Sequence, residues 1–127
     1  MPSPLRFVPG LTLSAQVSDL DRSMAWYRDV LGFEILYKVD EMGWGEVKTE
    51  VPGVNIGFAQ VESPRVGAGP VPTFGVESVD DARAQLEAKG VRFDGETREY
   101  PGMVRLATFF DPDGNALMLY QSLSDDA

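Results

Sequence analysis

The fold follows from residues 17–33, which read VSDLDRSMAWYRDVLGF. Apolar residues recur in this stretch at the spacing of an amphipathic helix. The face that we expect to meet the core consists of Leu20, Met24, Tyr27 and Leu31. Ser18 with Asp21 is typical of a capping box at a helix start, and Gly32 is typical of a helix stop. Alternating residues after Gly32 then predict a β-strand.

A second copy of this pattern begins at Val76, which aligns with Val17. Residues 76–93 read VESVDDARAQLEAKGVRF. Ser78 with Asp81 predicts the start of the second helix, and Gly90 predicts its stop. The residues after Gly90 again alternate in a way that predicts a strand. The chain therefore contains an internal repeat, which has to be recognised before the fold can be predicted.

The last strand of each copy supplies a second match. Residues 51–60 resemble residues 111–121, and Gln60 of the first copy aligns with Gln121 of the second. Pro and Gly turn residues precede the strand in both copies, as is usual before a strand begins. Both ends of each copy thus agree with one duplicated plan.

Each copy is predicted to contain a strand, a helix and three further strands. Predicted strands span about 10–17, 33–39, 44–50 and 54–61 in the first copy and 71–77, 91–97, 103–110 and 115–121 in the second. Predicted helices span about 19–31 and 79–89. We therefore predict one α+β domain over residues 1–127, built from two βαβββ modules in tandem. Module one covers about 10–61, a Pro/Gly linker covers 62–70, and module two covers about 71–121.

Composition excludes several classes of chemistry. The 127 residues include neither histidine nor cysteine, so disulfides, Cys/His zinc sites and Ser–His nucleophile pairs are excluded. The net charge of −9, from 11 basic and 20 acidic residues, disfavours nucleic acids and anionic membranes as partners. No apolar run reaches the roughly 18 residues of a spanning helix, and the N-terminal stretch lacks a signal peptide's apolar run. A cytoplasmic location is expected.

Two stretches together resemble the vicinal oxygen chelate superfamily. They are residues 17–33 and the sequence DPDGN at 111–115. This superfamily includes glyoxalase I, extradiol dioxygenases, fosfomycin resistance enzymes and bleomycin resistance proteins. The resemblance covers roughly residues 10–121. It implies that the two modules form a cupped, mostly antiparallel mixed sheet around a cavity, with the helices outside. It also implies a homodimer, since superfamily members often dimerise.

The resemblance further implies where a metal would be held. In the superfamily's metalloenzymes, His, Glu or Gln ligands come from the first and last strands of each module. The corresponding positions here are Thr12, Gly57, Val71 and Met118. Threonine is a weak neutral donor, methionine favours soft metals, and valine and glycine offer no side-chain donor. We therefore expect neither a metal at these positions nor another cofactor.

Strand alternation predicts which residues line the implied cavity. The candidate ligand-binding residues are Thr12, Ser14, Gln16, Trp44, Glu46, Asn55, Gly57, Val71, Thr73, Met103, Met118 and Tyr120. Most are small, neutral or moderately apolar, which suits a small organic molecule. An aromatic ring beside a carboxylate, as in Trp44 and Glu46, is a recurrent way to hold a cation. The alternative is that Trp44 packs at a rim or dimer contact while Glu46 is solvated or pairs with Lys48.

Three functional hypotheses remain open from the sequence. The first is metal-independent binding of a small apolar or cationic organic molecule, analogous to drug sequestration by bleomycin resistance proteins. The second is a glyoxalase- or dioxygenase-like lyase or oxygenase that depends on a metal. The third is a dimerisation domain with a filled cavity. The sequence leaves enzymatic activity uncertain, and it predicts no catalytic residue because Glu46 is the only carboxylate that alternation places in the cavity.

Overall fold

The computed structural model describes residues 4, 6, 8–67 and 69–124. The chain divides between Glu62 and Ser63 into two compact units, and each contains one complete module. Each module runs strand, helix, strand, strand, strand, and each has its own four-stranded sheet. The predicted α+β class with two βαβββ modules in tandem is therefore confirmed.

Module one has a mixed sheet with one parallel pair. Its elements are β1 (Leu11–Val17), α1 (Leu20–Leu31), β2 (Glu34–Val39), a 3₁₀ turn (Asp40–Met42), β3 (Trp44–Lys48) and β4 (Val54–Gln60). The strand order is β1-β4-β3-β2, in which β1 and β4 are parallel and the other pairs antiparallel. The parallel pair is compatible with chain connectivity because a helix and two strands separate its members.

The start of α1 differs by one residue from the sequence-based prediction. Asp19, not Ser18, is the N-cap, and its carboxylate accepts a 3.0 Å hydrogen bond from the backbone N–H of Arg22. The Ser18 hydroxyl instead accepts from the Arg22 guanidinium at 2.9 Å. Gly32 ends the helix in the left-handed region at φ 78°, and its N–H donates to the carbonyl of Arg28. The predicted stop is thus confirmed, because glycine adopts this conformation without strain.

One face of the module one sheet packs against α1. The buried residues of this core include Val17, Leu20, Met24, Tyr27, Val47, Ile56 and Phe58. The ring of Tyr27 lies 4.6 Å from that of Phe58, centroid to centroid. A Cβ on Gly45 would overlap the sulfur of Met24, so glycine lets the helix approach β3 closely. No helix formed by the described residues of module one packs on the opposite face of this sheet.

Module two repeats this arrangement with a shorter first strand and a shorter second strand. Its elements are β5 (Thr73–Gly75), α2 (Val79–Ala88), β6 (Arg98–Tyr100), β7 (Val104–Phe110) and β8 (Ala116–Ser122). The strand order is β5-β8-β7-β6, with β5 and β8 parallel. The buried core residues are Val79, Leu86, Val91, Ala107, Phe109, Leu117 and Leu119. The side chains of Leu117 and Leu119 therefore lie on the helix side of the sheet, as alternation predicts.

The strand predicted at 91–97 forms only in part, because backbone hydrogen bonds join Arg92 and Asp94 to β7 but the pairing does not continue through residue 97. Only Phe93 makes a bridge, to Phe109, and the paired strand begins at Arg98. Arg83 of α2 lies over the Phe93 ring, 4.4 Å from its centroid, and donates to the carbonyl of Gly95 at 2.8 Å. Gly95 has a φ of 70°, in the left-handed region. Alternation in this stretch therefore reports packing against α2, and the left-handed glycine interrupts the strand.

A glutamine at the end of β4 and another in β8 accept hydrogen bonds from the first backbone N–H groups of the two helices. The Gln60 amide oxygen accepts from the backbone N–H of Leu20 at 2.7 Å, and that of Gln121 accepts from Val79 at 2.9 Å. The first N–H groups of a helix have no partner within the helix. The repeated glutamine therefore has a structural cause.

Neither described helix is long and apolar enough to cross a membrane.

The DPDGN sequence forms the turn that leads into β8. Asp111 is only 4% exposed. Its carboxylate accepts from the backbone N–H groups of Asp113 at 3.0 Å and Asn115 at 2.8 Å, and from the Asn115 side-chain amide at 2.9 Å. Gly114 has a φ of 96°, which a larger residue rarely adopts. The turn thus fixes where β8 starts and which of its residues face α2.

Candidate functional site

The predicted site residues of module one share the sheet face opposite α1, which we call the helix-free face of module one. Cross-strand pairing arranges its side chains in three rows: Thr12–Asn55–Lys48–Glu34, Ser14–Gly57–Glu46–Tyr37 and Gln16–Ala59–Trp44–Val39. Residues one position along each strand, such as Val47 and Ile56, face α1 and are buried. Strand pairing therefore brings Thr12, Ser14, Gln16, Trp44, Glu46, Asn55 and Gly57 onto a single surface.

The indole of Trp44 is the dominant feature of this face. Its Nε1 donates a 2.9 Å hydrogen bond to the hydroxyl of Tyr37 on β2. A Cβ built on Gly57 would overlap Cη2 and Cζ2 of Trp44 and lie 3.3 Å from Cε2, so the indole lies across Gly57. Trp44 is half-buried, and Tyr37 remains 44% exposed. The ring is thus held at both ends while part of its surface stays accessible.

Glu46 is the half-buried acid of the same face. It occupies the row of Gly57 and Tyr37, on the strand that also carries Trp44. It makes no ion pair with Lys48, two positions further along the strand, or with any other residue that the structure describes. The carboxylate is therefore free to interact with a bound molecule.

A similar contact occurs on the helix-free face of module two, which is the face of β5–β8 opposite α2. Thr73, Met118 and Thr108 form one row, and Gly75, Tyr120, Leu106 and Arg98 form the next. A Cβ on Gly75 would lie 2.8 Å from Cζ of Tyr120 and 2.9 Å from its hydroxyl oxygen. The Tyr120 ring therefore lies across Gly75, and it is 41% exposed.

Two predicted site residues lie outside the strands. Val71 precedes β5, and its carbonyl accepts a 3.0 Å hydrogen bond from the Thr73 hydroxyl. Because β5 begins only at Thr73, strand alternation does not place the Val71 side chain. Met103 lies in the turn between β6 and β7 and is 68% exposed.

Arg98 is a residue of the module two face that alternation missed. The strand predicted at 91–97 ended one residue before Arg98. Alternation therefore did not assign the Arg98 side chain to either face of the sheet. The internal repeat contains the missing signal, because the alignment of Val17 with Val76 also pairs Val39, at the end of β2, with Arg98. That alignment places Arg98 in the edge strand of module two, where β6 begins.

A separate groove of about 280 Å³ lies on the helix side of module one. It is lined by Asp21, Met24, Ala25, Arg28, Ile35 and Lys38. Lys38 is paired with Asp21 at 2.6 Å and with Asp40 at 3.3 Å, and the hydrogen bond to Asp21 is the main cause of its raised pKa. The groove is smaller than the usual 300–1,000 Å³ or so of ligand pockets, and it contains no predicted site residue.

Comparison with known families decides the classification. A family model described as the Glyoxalase/Bleomycin resistance protein/Dioxygenase superfamily matches residues 11–119, from the start of β1 into β8. The chain belongs to this superfamily. The superfamily match spans both modules, as the sequence resemblance implied. No curated protein matches the sequence significantly.

Several solved structures share the fold of this chain. TnmS3, an antibiotic binding protein from Streptomyces sp. CB03234, is 25% identical with a TM-score of 0.76 over 92% of this chain and 98% of its own. A superfamily member from Sphaerobacter thermophilus DSM 20745 is 23% identical, with a TM-score of 0.78 over 91% and 98%. Lactoylglutathione lyase from Agrobacterium tumefaciens is 22% identical, with a TM-score of 0.68 over 87% and 91%.

The residues of this superfamily member do not fit the metal site that the resemblance implies. Of the four positions, Thr12 offers a hydroxyl and Met118 a thioether, whereas Val71 and Gly57 offer no side-chain donor. The indole of Trp44 also covers Gly57. Among the residues that the structure describes, no three carboxylates come together as a metal-binding group. The Lewis-acid chemistry of a metalloenzyme therefore has no ligand set at these positions.

Proposed function

We propose that this protein binds a small planar organic molecule, neutral or cationic, on the helix-free face of module one without using a metal. The observation that carries the proposal is the indole of Trp44, held across Gly57 and hydrogen-bonded to Tyr37. A flat ligand would stack on the accessible part of this ring. Aromatic side chains contribute large contact areas in binding sites.

Preorganisation is the first argument for this function. Immobilising a free side chain on binding costs about 0.5–1.5 kcal/mol, and a ring that is already fixed avoids much of this cost. The hydrogen bond of Trp44 to Tyr37 fixes one edge of the indole. The absence of a Cβ at Gly57 creates the space in which the ring lies.

The charge of the face is the second argument. Glu46 is half-buried beside Trp44 and forms no ion pair within the described chain. A carboxylate next to an aromatic face favours a cationic ligand through both direct attraction and the cation–π interaction. The net charge of −9 acts in the same direction at longer range.

The comparisons add support at a general level. TnmS3, which is described as an antibiotic binding protein, shares this fold over 92% of the chain at 25% identity. The lactoylglutathione lyase of similar fold represents the enzymatic alternative. That alternative needs a metal, and the donors at Thr12, Gly57, Val71 and Met118 do not favour one.

The test uses N-methylquinolinium as a planar cation and quinoline as its neutral counterpart. A Trp26→Phe background leaves Trp44 as the one tryptophan, so that its fluorescence reports binding. Both probes should quench Trp44 and raise the thermal midpoint, since ligands that bind only the native state stabilise it. The cation should bind more tightly. Isothermal titration calorimetry measures binding by the variants, some of which lack Trp44: Trp44→Leu should weaken both probes at least about tenfold, and Glu46→Gln should remove the preference for the cation.

Chelation and a matched substitution provide the controls. Prior treatment with EDTA should leave both affinities unchanged, because no metal takes part. Trp44→Phe, which keeps an aromatic ring, should retain more affinity than Trp44→Leu. Equal binding by wild type and Trp44→Leu would contradict the proposed site, and loss of binding after EDTA would contradict its independence of metal.

A further inference from the structure

We propose that Asp94 is a site of spontaneous backbone isomerisation, at which the peptide linkage to Gly95 moves from the main-chain carboxyl group to the side-chain carboxyl group. The residue becomes isoaspartate, which is the substrate of methyltransferases that use S-adenosylmethionine to repair such residues. The site lies in the loop between α2 and β6 of module two. It does not depend on the binding proposed for module one, so the two proposals can fail separately.

The reaction needs only the two residues and water. The backbone nitrogen of Gly95 loses its proton and bonds to Cγ of Asp94, which closes a succinimide ring and releases the carboxyl oxygen as water. Water then opens the ring. If the bond from nitrogen to Cγ breaks, aspartate is restored; if the bond from nitrogen to the main-chain carbonyl carbon breaks, the chain continues through Cγ. One water leaves and one is added, so nothing is oxidised or reduced.

The reacting atoms of Asp94 and Gly95 are free. A following glycine favours the reaction because it has no side chain to obstruct its own nitrogen. The Asp94 carboxylate is exposed and makes no hydrogen bond or ion pair with the residues that the structure describes. Within the same part of the chain, the Gly95 N–H has no acceptor. A Cβ on Gly95 would meet nothing within 4 Å, so the space beside its nitrogen is open.

Two hydrogen bonds hold the loop on either side of the reacting atoms. The Asp94 N–H donates to the carbonyl of Thr108 at 2.8 Å, and the Gly95 carbonyl accepts from the Arg83 guanidinium at 2.8 Å. Neither bond uses the Asp94 side chain or the Gly95 nitrogen. The loop therefore keeps both residues in place while the carboxyl group can turn toward the nitrogen, and such proximity accelerates an intramolecular reaction.

The second Asp-Gly pair of the chain, Asp113-Gly114, shows the contrast. The Gly114 N–H donates to the carbonyl of Asp111 at 3.0 Å, and the Asp113 N–H donates to the Asp111 carboxylate at 3.0 Å. The attacking nitrogen has to lose its proton, so the hydrogen bond of Gly114 must open first. Asp113 is also half-buried. The same dipeptide is thus protected in this turn and unprotected at Asp94.

Isomerisation weakens the contact between this loop and α2. Isoaspartate adds one carbon to the main chain before Gly95, which lengthens the path by about 1.5 Å. A 2.8 Å contact between the Gly95 carbonyl and Arg83 then exceeds hydrogen-bond range. Arg83 also lies over the ring of Phe93 and donates to the hydroxyl of Thr97 at 3.1 Å. The arginine therefore joins the helix to both sides of the site, and the reaction disturbs that junction.

The experiment ages the folded wild type for several weeks at neutral pH and physiological temperature. Trypsin then releases Asp94 in the peptide 93–98 and Asp113 in the peptide 106–127. Chromatography with electron-transfer fragmentation measures isoaspartate in each peptide. It should accumulate at Asp94 at least about tenfold faster than at Asp113, because the second site must first open its hydrogen bonds. In urea-unfolded protein the two rates should be similar, since those bonds are absent.

Two matched variants control for position. Asp94→Glu keeps the charge but would have to close a larger ring, so it should abolish isoaspartate in the peptide 93–98. Asp113→Glu should leave that isoaspartate unchanged. Equal accumulation at the two sites of the folded wild type, or accumulation at neither, would overturn the proposal. This comparison requires no substitution, so it holds even if a variant folds poorly.

Thermal unfolding tests the effect on α2. The isomerised fraction of wild type, separated by ion-exchange chromatography, should have a Tm lower by about 2–6 °C than the unreacted fraction. In Arg83→Gln the same reaction should lower the Tm less, because the guanidinium contact is already absent. An equal loss in both proteins, or no loss in wild type, would overturn the inferred disturbance of the Arg83 contact.

Discussion

Replacing Gly57 by alanine tests the arrangement of the candidate site with the smallest available change. The added methyl group would overlap two carbons of the Trp44 ring. Non-bonded carbons need about 3.5–4.0 Å between them, so the indole has to move by about 1 Å or more. The 2.9 Å hydrogen bond from Trp44 to Tyr37 then exceeds its useful length. We expect the ring to leave its position while the sheet stays intact.

The expected change in stability is small because two effects oppose each other. Loss of the hydrogen bond costs about 0.5–1.5 kcal/mol. Gly57 is outside the left-handed region, so alanine fits its backbone and stabilises by about 0.4–1 kcal/mol through the unfolded chain. The net change should stay within about 1 kcal/mol, or about 3–5 °C in Tm.

Fluorescence in the Trp26→Phe background measures the position of Trp44. Gly57→Ala should shift the emission to longer wavelength, increase quenching by acrylamide, and weaken binding of N-methylquinolinium. Gly75→Ala makes the same change beneath Tyr120 in module two and should leave Trp44 emission unaltered. If Gly57→Ala changes neither emission nor quenching, the indole does not lie across Gly57 and the argument for a preorganised ring fails. A Tm loss above about 10 °C would instead mean that Trp44 belongs to the core.

Two further predictions concern the hydrogen bonds that define each module. Gln60→Ala should lower the free energy of unfolding in urea by about 1–2 kcal/mol, because it leaves the N–H of Leu20 without its acceptor. An unchanged unfolding midpoint would show that Gln60 does not stabilise the start of α1. Asp111→Ala should lower the free energy of unfolding by about 2–4 kcal/mol, since it removes the acceptor of three hydrogen bonds at a buried position. Asp111→Asn should lower it less, because one amide oxygen remains as an acceptor. Equal losses for the two variants would contradict this account.

The sequence predicts module one almost completely because its signals agree with one another. Helical periodicity, the Gly32 stop and strand alternation all point to the same elements, and β1 to β4 lie close to their predicted bounds. Alternation also separates the buried Val47 and Ile56 from Glu46 and Gly57 on the other face. Period-two patterning is reliable when one face of a sheet is covered by a helix.

The error in module two lies at residues 91–97, where side-chain burial alternates although the strand pairing does not continue. Val91 is buried and Phe93 lies beneath Arg83 of α2, so both alternate with polar residues, yet only Phe93 bridges to the sheet. A contact such as that of Arg83 with the Gly95 carbonyl is tertiary and leaves no local pattern. The same limit applies to Trp44: alternation assigns its face, but the hydrogen bond to Tyr37 depends on the register between β2 and β3, which includes a bulge.

The internal repeat offers a way to separate residues that maintain the fold from those that serve function. Positions that make the same contact in both modules are structural. The clearest are Gln60 and Gln121, each of which accepts a hydrogen bond from the backbone N–H at the start of a helix. The residues at aligned positions of the two helix-free faces are much less alike. In the alignment of the two copies, Gly57 corresponds to Met118, and Val39 corresponds to Arg98.

Each module nevertheless lays an aromatic ring across a glycine, and it does so from different strands. Trp44 of β3 covers Gly57 of β4, whereas Tyr120 of β8 covers Gly75 of β5. A duplicated scaffold needs no such difference to fold, since the capping and core contacts are common to both copies. The two faces therefore differ in charge, with the carboxylate of Glu46 in the row of Gly57 and the guanidinium of Arg98 in the row of Gly75 and Tyr120.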